Sequence, residues 1–227
     1  MAAVVLSAAI VSAIPLRAKE KAEAMPEYEP EIIKLPEPKY DSSTSIEGAL
    51  LKRRSVRAFK DTPVTLSEVS QLLWAAQGIA DPGALRTAPS AGALYPLELY
   101  VVAGNVNGLP AGIYKYRPKR HELLSIAKGD RRIDLCHAAL GQSPVRRAAA
   151  VIVLSGVYER TTNKYGERGI CYVHMEAGHA AQNVSLQAVS LWLGTVVIGA
   201  FRDEEVKRML KMEDSERPLY IMPVGRR

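Results

Sequence analysis

The feature that most constrains the fold is a long helical pattern from Tyr172 to Leu193, whose last half is apolar on almost every side. Such a helix is stable only when other elements cover all of its faces. We therefore expect it to be central, either inside the domain or at an interface between two copies of the chain. With 227 residues, 48% of them hydrophobic and 24% charged, the chain can build one sizeable core around it.

The other segments alternate between helical and strand patterns, which predicts an α+β fold with a mixed β-sheet layered with helices. Capping-box sequences open two helices, Thr44-Ser45-Ile46-Glu47 for one that ends near Arg53 and Thr65-Leu66-Ser67-Glu68 for one that ends at Gly78. Two more helices are predicted, over 130–140 with Asp130 as its cap and over 204–212 with Asp203 as its cap. Strands are predicted over 97–103, 112–116, 123–127, 148–157, 195–200 and 219–224.

Two segments precede the predicted domain of residues 45–227. Residues 1–24 contain an uncharged apolar run followed by Arg17, Lys19 and Lys21, which is the length of a signal-peptide core but lacks its basic start. The segment is therefore expected to be a signal peptide or a membrane anchor, and without either role the chain would be cytoplasmic. Residues 25–44 alternate prolines with glutamates, which favours an extended linker.

Charge and cysteine content argue against two other classes of protein. The net charge of +6 is spread along the chain, and basic residues are not interleaved with aromatic ones as a nucleic-acid stacking surface requires. Cys171 and His174 share one helical face, but no second ligand pair follows at zinc spacing. We therefore predict no nucleic-acid partner and no metal site, and we treat Cys136 and Cys171 as free thiols.

Three separated segments instead suggest a bound phosphorylated cofactor. Arg53, Arg54, Ser55 and Arg57 follow the first predicted helix, and Gly225-Arg226-Arg227 ends the chain. Guanidinium groups neutralise a phosphate that leaves water, so these residues could clamp one. Between them lies a run of small residues, Pro89-Ser90-Ala91-Gly92-Ala93, which would let a flat ring approach the backbone. The simpler alternatives are a solvent-facing helix end and a surface loop.

Six motifs in this order resemble the flavin-dependent nitroreductase superfamily and, within it, the SagB-type dehydrogenases. The motifs are Arg53 to Phe59, Pro89 to Pro96, Lys164 to Gly169, Glu176 to Asn183, Val197 to Phe201 and Pro223 to Gly225. The resemblance covers most of residues 46–225. It implies a nitroreductase-like fold, a homodimer with the long helix at its interface, and FMN in a cleft shared by both subunits. NAD(P)H is the electron donor that the resemblance suggests.

The resemblance also suggests roles for particular residues. It places the FMN phosphate at Arg53, Arg54, Ser55, Arg57, Gly225, Arg226 and Arg227, and the flavin ring against Pro89, Ser90, Ala91 and Gly92 and against Val197, Ile198, Gly199 and Ala200. The last segment could equally be an ordinary apolar core strand. Lys164 and Tyr165 match a catalytic pair of azole-forming members, where an ammonium beside a phenol favours the phenolate. The other interpretation is a solvent-facing turn. Ala93 and Tyr95 depart from many classical nitroreductases, which have Asn and Gln there.

Three functions follow from this interpretation. The first is an FMN-dependent oxidoreductase that transfers a hydride from NAD(P)H to a nitro compound, a quinone or a related small electrophile. The second is a dehydrogenase that oxidises azolines to azoles on a peptide. The third, from another class, is a non-catalytic flavin- or anion-binding protein at a membrane surface.

Overall fold

The computed structural model describes residues 31–227, and the predicted leader, residues 1–24, lies outside them. The strands are β1 (Ile32–Lys34), β2 (Val64–Thr65), β3 (Leu97–Ala103), β4 (Val106–Asn107), β5 (Gly112–Arg117), β6 (Glu122–Lys128), β7 (Ala150–Val157), β8 (Leu193–Thr195) and β9 (Glu216–Arg226). The α-helices are α1 (Ile46–Lys52), α2 (Leu66–Gln77), α3 (Arg132–Ala138), α4 (Ser143–Arg147), α5 (Glu159–Tyr165), α6 (Arg168–Ser190) and α7 (Asp203–Leu210).

Seven strands form one sheet in the order β1-β6-β5-β3-β7-β9-β8. Neighbouring strands in it run antiparallel. Parallel pairing occurs between β2 and β4 and in a bridge between Ser55 and Thr195 at the β8 edge. The predicted α+β class is confirmed, and the mixture of strand directions comes from these two parallel contacts.

Helices cover both faces of the sheet. Because side chains along a strand alternate between these faces, a single strand contributes to two cores. In β3, Leu99 and Val101 join a core that contains residues of α2 and α6. Tyr100 and Val102 join a second core that contains residues of α3, α4 and α7. The fold therefore has three layers, with α6 packed on the sheet in one outer layer.

The predicted long helix is α6, but it begins at Arg168 rather than Tyr172 and ends at Ser190 rather than Leu193, and one of its faces is exposed. Its sheet-facing residues are small, including Ala177, Ala180 and Ala181. The helix starts early because Gly169 lets α5 approach closely: a Cβ on Gly169 would lie 2.9 Å from the Cα atom of Thr162.

Helix α2 has the bounds that its sequence predicts. Thr65 is the N-cap, its hydroxyl accepts from the Glu68 amide, and the Glu68 carboxylate accepts from the Thr65 amide at 2.8 Å. The helix ends at Gln77, with Gly78 as C-cap. For α1, however, the cap is Ser45 and not Thr44: the Ser45 hydroxyl accepts from the Gly48 amide at 3.0 Å.

Several predicted bounds are wrong. The strand predicted over 195–200 lies at Leu193–Thr195, where the backbone can pair with the end of β9. Asp203 is the first residue of α7, and Arg202 is its cap. Helix α3 is capped by Arg131 and ends at Ala138, although Asp130 still accepts from the Arg132 amide.

The folded body begins earlier than residue 45. Strand β1 lies within the segment predicted to be a linker, and it adds to the sheet edge by pairing with β6. The Lys39 amide of the same segment donates to the Gln71 side chain at 2.8 Å. In the described residues, we find no helix with the length and apolar character needed to cross a membrane.

Candidate active site

The first predicted phosphate segment is held on the β8 edge of the sheet. The Val56 amide donates to the Thr195 carbonyl at 2.9 Å, and the Lys60 amide donates to the Arg226 carbonyl at 3.0 Å. Two glycines permit this close packing: a Cβ on Gly194 would lie 2.6 Å from Val56, and one on Gly225 would lie 2.8 Å from Phe59. Gly225 therefore lets this segment pack on β9.

The arginines of this segment differ in their surroundings. Arg53 follows the last residue of α1 and is half-buried, whereas Arg54 and Arg57 are exposed. The Arg54 guanidinium donates to the carbonyls of Leu51 and Arg53, at 2.9 and 2.7 Å. Because a helix C-terminus carries partial negative charge, the guanidinium groups must supply the positive charge for any anion bound here.

Of the two C-terminal arginines, Arg226 already has a charged partner. Its guanidinium donates to both carboxylate oxygens of Glu68, at 2.6 and 2.9 Å, and this pair joins β9 to the start of α2. A phosphate contact by Arg226 would require it to leave that carboxylate. Arg227 is exposed and donates to the Leu193 carbonyl at 2.8 Å, so it lies beside the same sheet edge.

The segment Val197–Ala200 continues from β8, whose last residue, Thr195, bridges Ser55 of the arginine segment. Ile198 is buried and exchanges two backbone hydrogen bonds with Ile221, each 2.9 Å long. Gly199 is exposed and lines a cavity of about 610 Å³, together with Phe201 and Tyr220. This geometry leaves backbone at Gly199 accessible to a ligand.

A buried hydroxyl provides a test of whether this region fits a polar cofactor. Thr195 is 5% exposed, and its Oγ1 atom has no hydrogen-bond partner among the described residues. Unpaired buried polar atoms are rare, and a bound ligand or water often satisfies them. Together with Ser55 and the cationic arginines, this hydroxyl gives a donor set that fits the phosphate and polar side chain of FMN.

The second cluster contains the turn at Pro89–Pro96 and the Lys164–Tyr165 pair, which the fold brings together. Gly92 has a positive φ of 63°, and a Cβ placed on it would lie 2.7 Å from the Tyr165 hydroxyl and 2.9 Å from the Lys164 ammonium. Only glycine leaves room for both groups at this point. The turn predicted to approach the cofactor ring therefore lies directly against the predicted acid–base pair.

The Lys164–Tyr165 pair lies at the end of helix α5 and not in a solvent-facing turn. The Lys164 Nζ atom lies 5.3 Å from the centroid of the Tyr165 ring. The Tyr172 ring packs edge-on against Tyr165, with centroids 5.2 Å apart, and this contact orients the phenol. Lys164 is exposed and Tyr165 half-buried, so the pair can exchange protons with water.

A buried polar network beneath the turn was missed at the level of sequence. Glu176 is buried in α6, and its polar neighbours are Gln77 and Ser90. Gln77 is the last residue of α2, and Arg86 donates to it at 2.7 Å. Two polar residues within apolar helical patterns, Gln77 in α2 and Glu176 in α6, are the sequence signals that point to this network.

Comparison with known proteins identifies the family of this chain. The Nitroreductase family model matches residues 50–226. A Methanocaldococcus jannaschii protein named as a nitroreductase is 50% identical over 182 residues, which cover 80% of this chain and 91% of that protein. A solved nitroreductase structure from Anabaena variabilis has a TM-score of 0.77 at 34% identity, over 87% of this chain and 42% of its own.

A second kind of relative is a peptide-processing protein. The microcin B17-processing protein McbC of Escherichia coli is 27% identical over 170 residues, which cover 71% of this chain and 62% of McbC. The chain thus spans less than two thirds of McbC. Both kinds of relative share the fold described above. From the family match over nearly the whole described region and the half-identical relative, we conclude that this chain belongs to the nitroreductase family of oxidoreductases.

Proposed function

We propose that this protein is an FMN-dependent oxidoreductase of the SagB-type branch, which transfers two electrons from NAD(P)H to a nitro compound, a quinone or a related small electrophile. The observation that carries the proposal is the close approach of Gly92 to the Lys164 ammonium and the Tyr165 hydroxyl, which leaves no room for a Cβ atom between them. It joins the turn assigned to the flavin ring to a pair of side chains that can move a proton.

The arginine segment at the β8 edge of the sheet is the proposed site of the cofactor phosphate. Arg53, Arg54 and Arg57 supply positive charge, while Ser55 and Thr195 supply hydroxyl groups. The backbone at Val197–Ala200, where Gly199 is exposed, would face the flavin ring. Bound FMN would accept a hydride from one substrate and pass it to a second.

The role proposed for the Lys164–Tyr165 pair is to balance this hydride transfer with a proton. A substrate that has received a hydride carries negative charge, and the Tyr165 hydroxyl can donate a proton to it. The Lys164 ammonium stabilises the phenolate that remains. Because Lys164 is exposed, water can then return the proton to Tyr165.

A homodimer is part of the proposal, because the predicted cofactor residues form two clusters and the resemblance implies a cleft shared by two subunits. Exposed apolar side chains offer an interface: Ile46 and Leu51 of α1 are 71% and 73% exposed, and Trp192 after α6 is 74% exposed. Large apolar side chains left exposed in this way would be covered by a second subunit.

Oxidation of azolines on a peptide is the second candidate function. It is favoured by the Lys164–Tyr165 pair and by the similarity to McbC, which is named as a microcin-processing protein. In this reaction the same pair would remove a proton from the azoline while the cofactor takes the hydride. The Tyr165 phenolate would then be the base.

The experiment that tests the proposal compares Tyr165→Phe with wild type, using FMN-loaded protein, NAD(P)H and a quinone. Removal of the hydroxyl should lower substrate turnover about 100-fold or more, as loss of a general acid does, while FMN stays bound and NAD(P)H still reduces it. Tyr172→Phe is the control, because its ring contact with Tyr165 remains. Equal turnover in wild type and Tyr165→Phe would contradict the proposed role.

The same FMN-loaded protein distinguishes the oxidoreductase from a non-catalytic protein at a membrane surface. A non-catalytic flavin-binding protein would retain FMN but show no turnover with either nucleotide donor. Whether residues 1–24 direct export or attachment stays a prediction, and fractionation of cells that express the full chain would test it.

A further inference from the structure

A buried carboxyl group lies directly beneath the turn that carries Gly92. Glu176, in the middle of α6, is 2% exposed, and its neighbour Gln77 is fully buried. The Gln77 side-chain amide donates to Glu176 at 3.3 Å, and the Ser90 hydroxyl forms a second hydrogen bond with the same carboxyl group. A fully buried acid with two partners from different elements links α6 to both α2 and the turn.

Two sets of contacts run from Glu176 to the same residue, Tyr95. In the first, the Ser90 oxygen accepts from the Tyr95 amide at 2.9 Å, which closes residues 90–95 into a turn. In the second, Gln77 accepts from the Arg86 guanidinium at 2.7 Å, and that guanidinium lies 4.5 Å from the centroid of the Tyr95 ring. The Arg86 amide also donates to the Tyr95 hydroxyl at 3.1 Å.

The turn between these contacts needs such support, because its backbone is strained. Gly92, Ala93 and Tyr95 have φ values of 63°, 54° and 47°, and left-handed backbone is unfavourable for the two residues that are not glycine. Strained backbone persists only where the surrounding structure determines it, and it clusters at functional sites. The contacts that run from Glu176 to Tyr95 help to hold this strained backbone in place.

We propose that Glu176 is a positioning residue, which holds the turn from Ser90 to Tyr95, and with it Gly92, against Lys164 and Tyr165. The catalytic part of this inference rests on the proposed function. Its structural part concerns the turn alone and needs no cofactor.

The charge of Glu176 makes this support sensitive to pH. Burial raises the pKa of Glu176 to about 7, against the opposing effects of its hydrogen bonds with Ser90 and Gln77 and of the Arg86 charge. Arg86, which faces Glu176, is itself close to Glu98 and Arg160. An open turn would hydrate Glu176 and favour its charged form, so the closed turn is most stable below pH 4.5 and becomes easier to open as the pH rises through 7.

Hydrogen exchange of the protein without added cofactor tests the structural part. At about pH 8 relative to pH 6, after correction for intrinsic rates, the Tyr95 amide of wild type should lose protection about tenfold. Glu176→Gln keeps the shape and removes the charge, so its Tyr95 protection should be the same at both pH values. Amides of β7 serve as an internal measure of global unfolding.

A second variant tests the connection through Ser90. Ser90→Ala should speed exchange at the Tyr95 amide about tenfold at both pH values. The control is Ser185→Ala, which also removes a serine hydroxyl but one bonded within α6, to the Ala181 carbonyl. This control should leave Tyr95 exchange unchanged. Normal Tyr95 exchange in Ser90→Ala, or an unchanged pH response in Glu176→Gln, would overturn the inference.

Turnover tests the catalytic part. The kcat of FMN-loaded wild type should fall as the pH rises through 7, because the turn opens more easily. This fall in kcat should be absent in Glu176→Gln. If the protein shows no turnover but exchange behaves as expected, the proposed function fails while Glu176 still positions the turn. If turnover occurs with the same pH profile in both proteins, the positioning role in catalysis fails and the proposed function stands.

Discussion

Replacing Gly92 by alanine would place a methyl group between the turn and the proposed acid–base pair. The new Cβ would lie 2.7 Å from the Tyr165 hydroxyl oxygen and 2.9 Å from the Lys164 nitrogen. An ordinary contact requires about 3.4 Å, so the hydroxyl must move by about 0.7 Å. Both obstructing atoms are ends of side chains, so we expect them to be displaced while the fold remains.

Gly92→Ala should therefore lower the free energy of unfolding and the turnover for two different reasons. Left-handed backbone at an alanine costs about 1–2 kcal/mol, and this is the main loss in the free energy of unfolding. A displacement approaching 1 Å at reacting groups can lower a rate about 100-fold. We expect Gly92→Ala to lose about 1–2 kcal/mol of stability and between about tenfold and 100-fold in turnover.

Urea unfolding and steady-state kinetics of the FMN-loaded protein measure the two effects. Gly141→Ala is the matched control, since Gly141 also has a positive φ, of 75°, but nothing lies within 4 Å of its added Cβ. The control should lose similar stability and keep its turnover. If Gly92→Ala turned over substrate as fast as Gly141→Ala, the placement of Gly92 against Lys164 and Tyr165 would be refuted.

Three further predictions concern stability and binding. The pKa of Glu176 in the folded state, about 7, lies above its ordinary value of 4.5. Its contribution to stability is thus fully present below pH 4.5 and lost as the pH rises through 7. Between about pH 5 and 8, the free energy of unfolding of wild type should fall by about 2–3 kcal/mol relative to Glu176→Gln in urea titrations, and parallel curves would contradict this. Thr195→Val should raise the FMN Kd about fivefold in fluorescence titrations, as loss of one hydrogen bond does, whereas Thr161→Val, which removes another unpaired buried hydroxyl, should not. Glu68→Gln should lower the free energy of unfolding by about 1–2 kcal/mol, because it removes the charged pair with Arg226; unchanged urea unfolding would show that this pair contributes little.

Local sequence patterns predict those elements whose bounds depend on local interactions. Helix α2 was predicted correctly because Thr65 and Glu68 cap each other and Gly78 ends the apolar repeat. Helix α5 was missed, since its threonines are weak helix formers and its packing on α6 near Gly169 decides its structure. Strand β8 was misplaced because the whole run after Leu193 is apolar, and only pairing with β9 selects three residues of it.

In the candidate site, too, local motifs could be predicted from the sequence, whereas contacts made by the tertiary fold could not. The arginine segment, the turn and the Lys164–Tyr165 pair could be identified as motifs, because each is short and continuous. Their contacts could not be predicted, since Gly92 meets Tyr165 only through the tertiary fold. For the same reason the pairing of Arg226 with Glu68, 158 positions away, could not be predicted.

FMN binding and reduction are tested most directly by the visible absorbance spectrum of the purified protein, supplied with FMN, washed in salt, and then titrated anaerobically with NADH and NADPH. We expect flavin bands that remain after washing, elute with a dimer-sized fraction, and bleach when one of the nucleotides is added. A protein that retains no flavin bands after FMN has been supplied would contradict it.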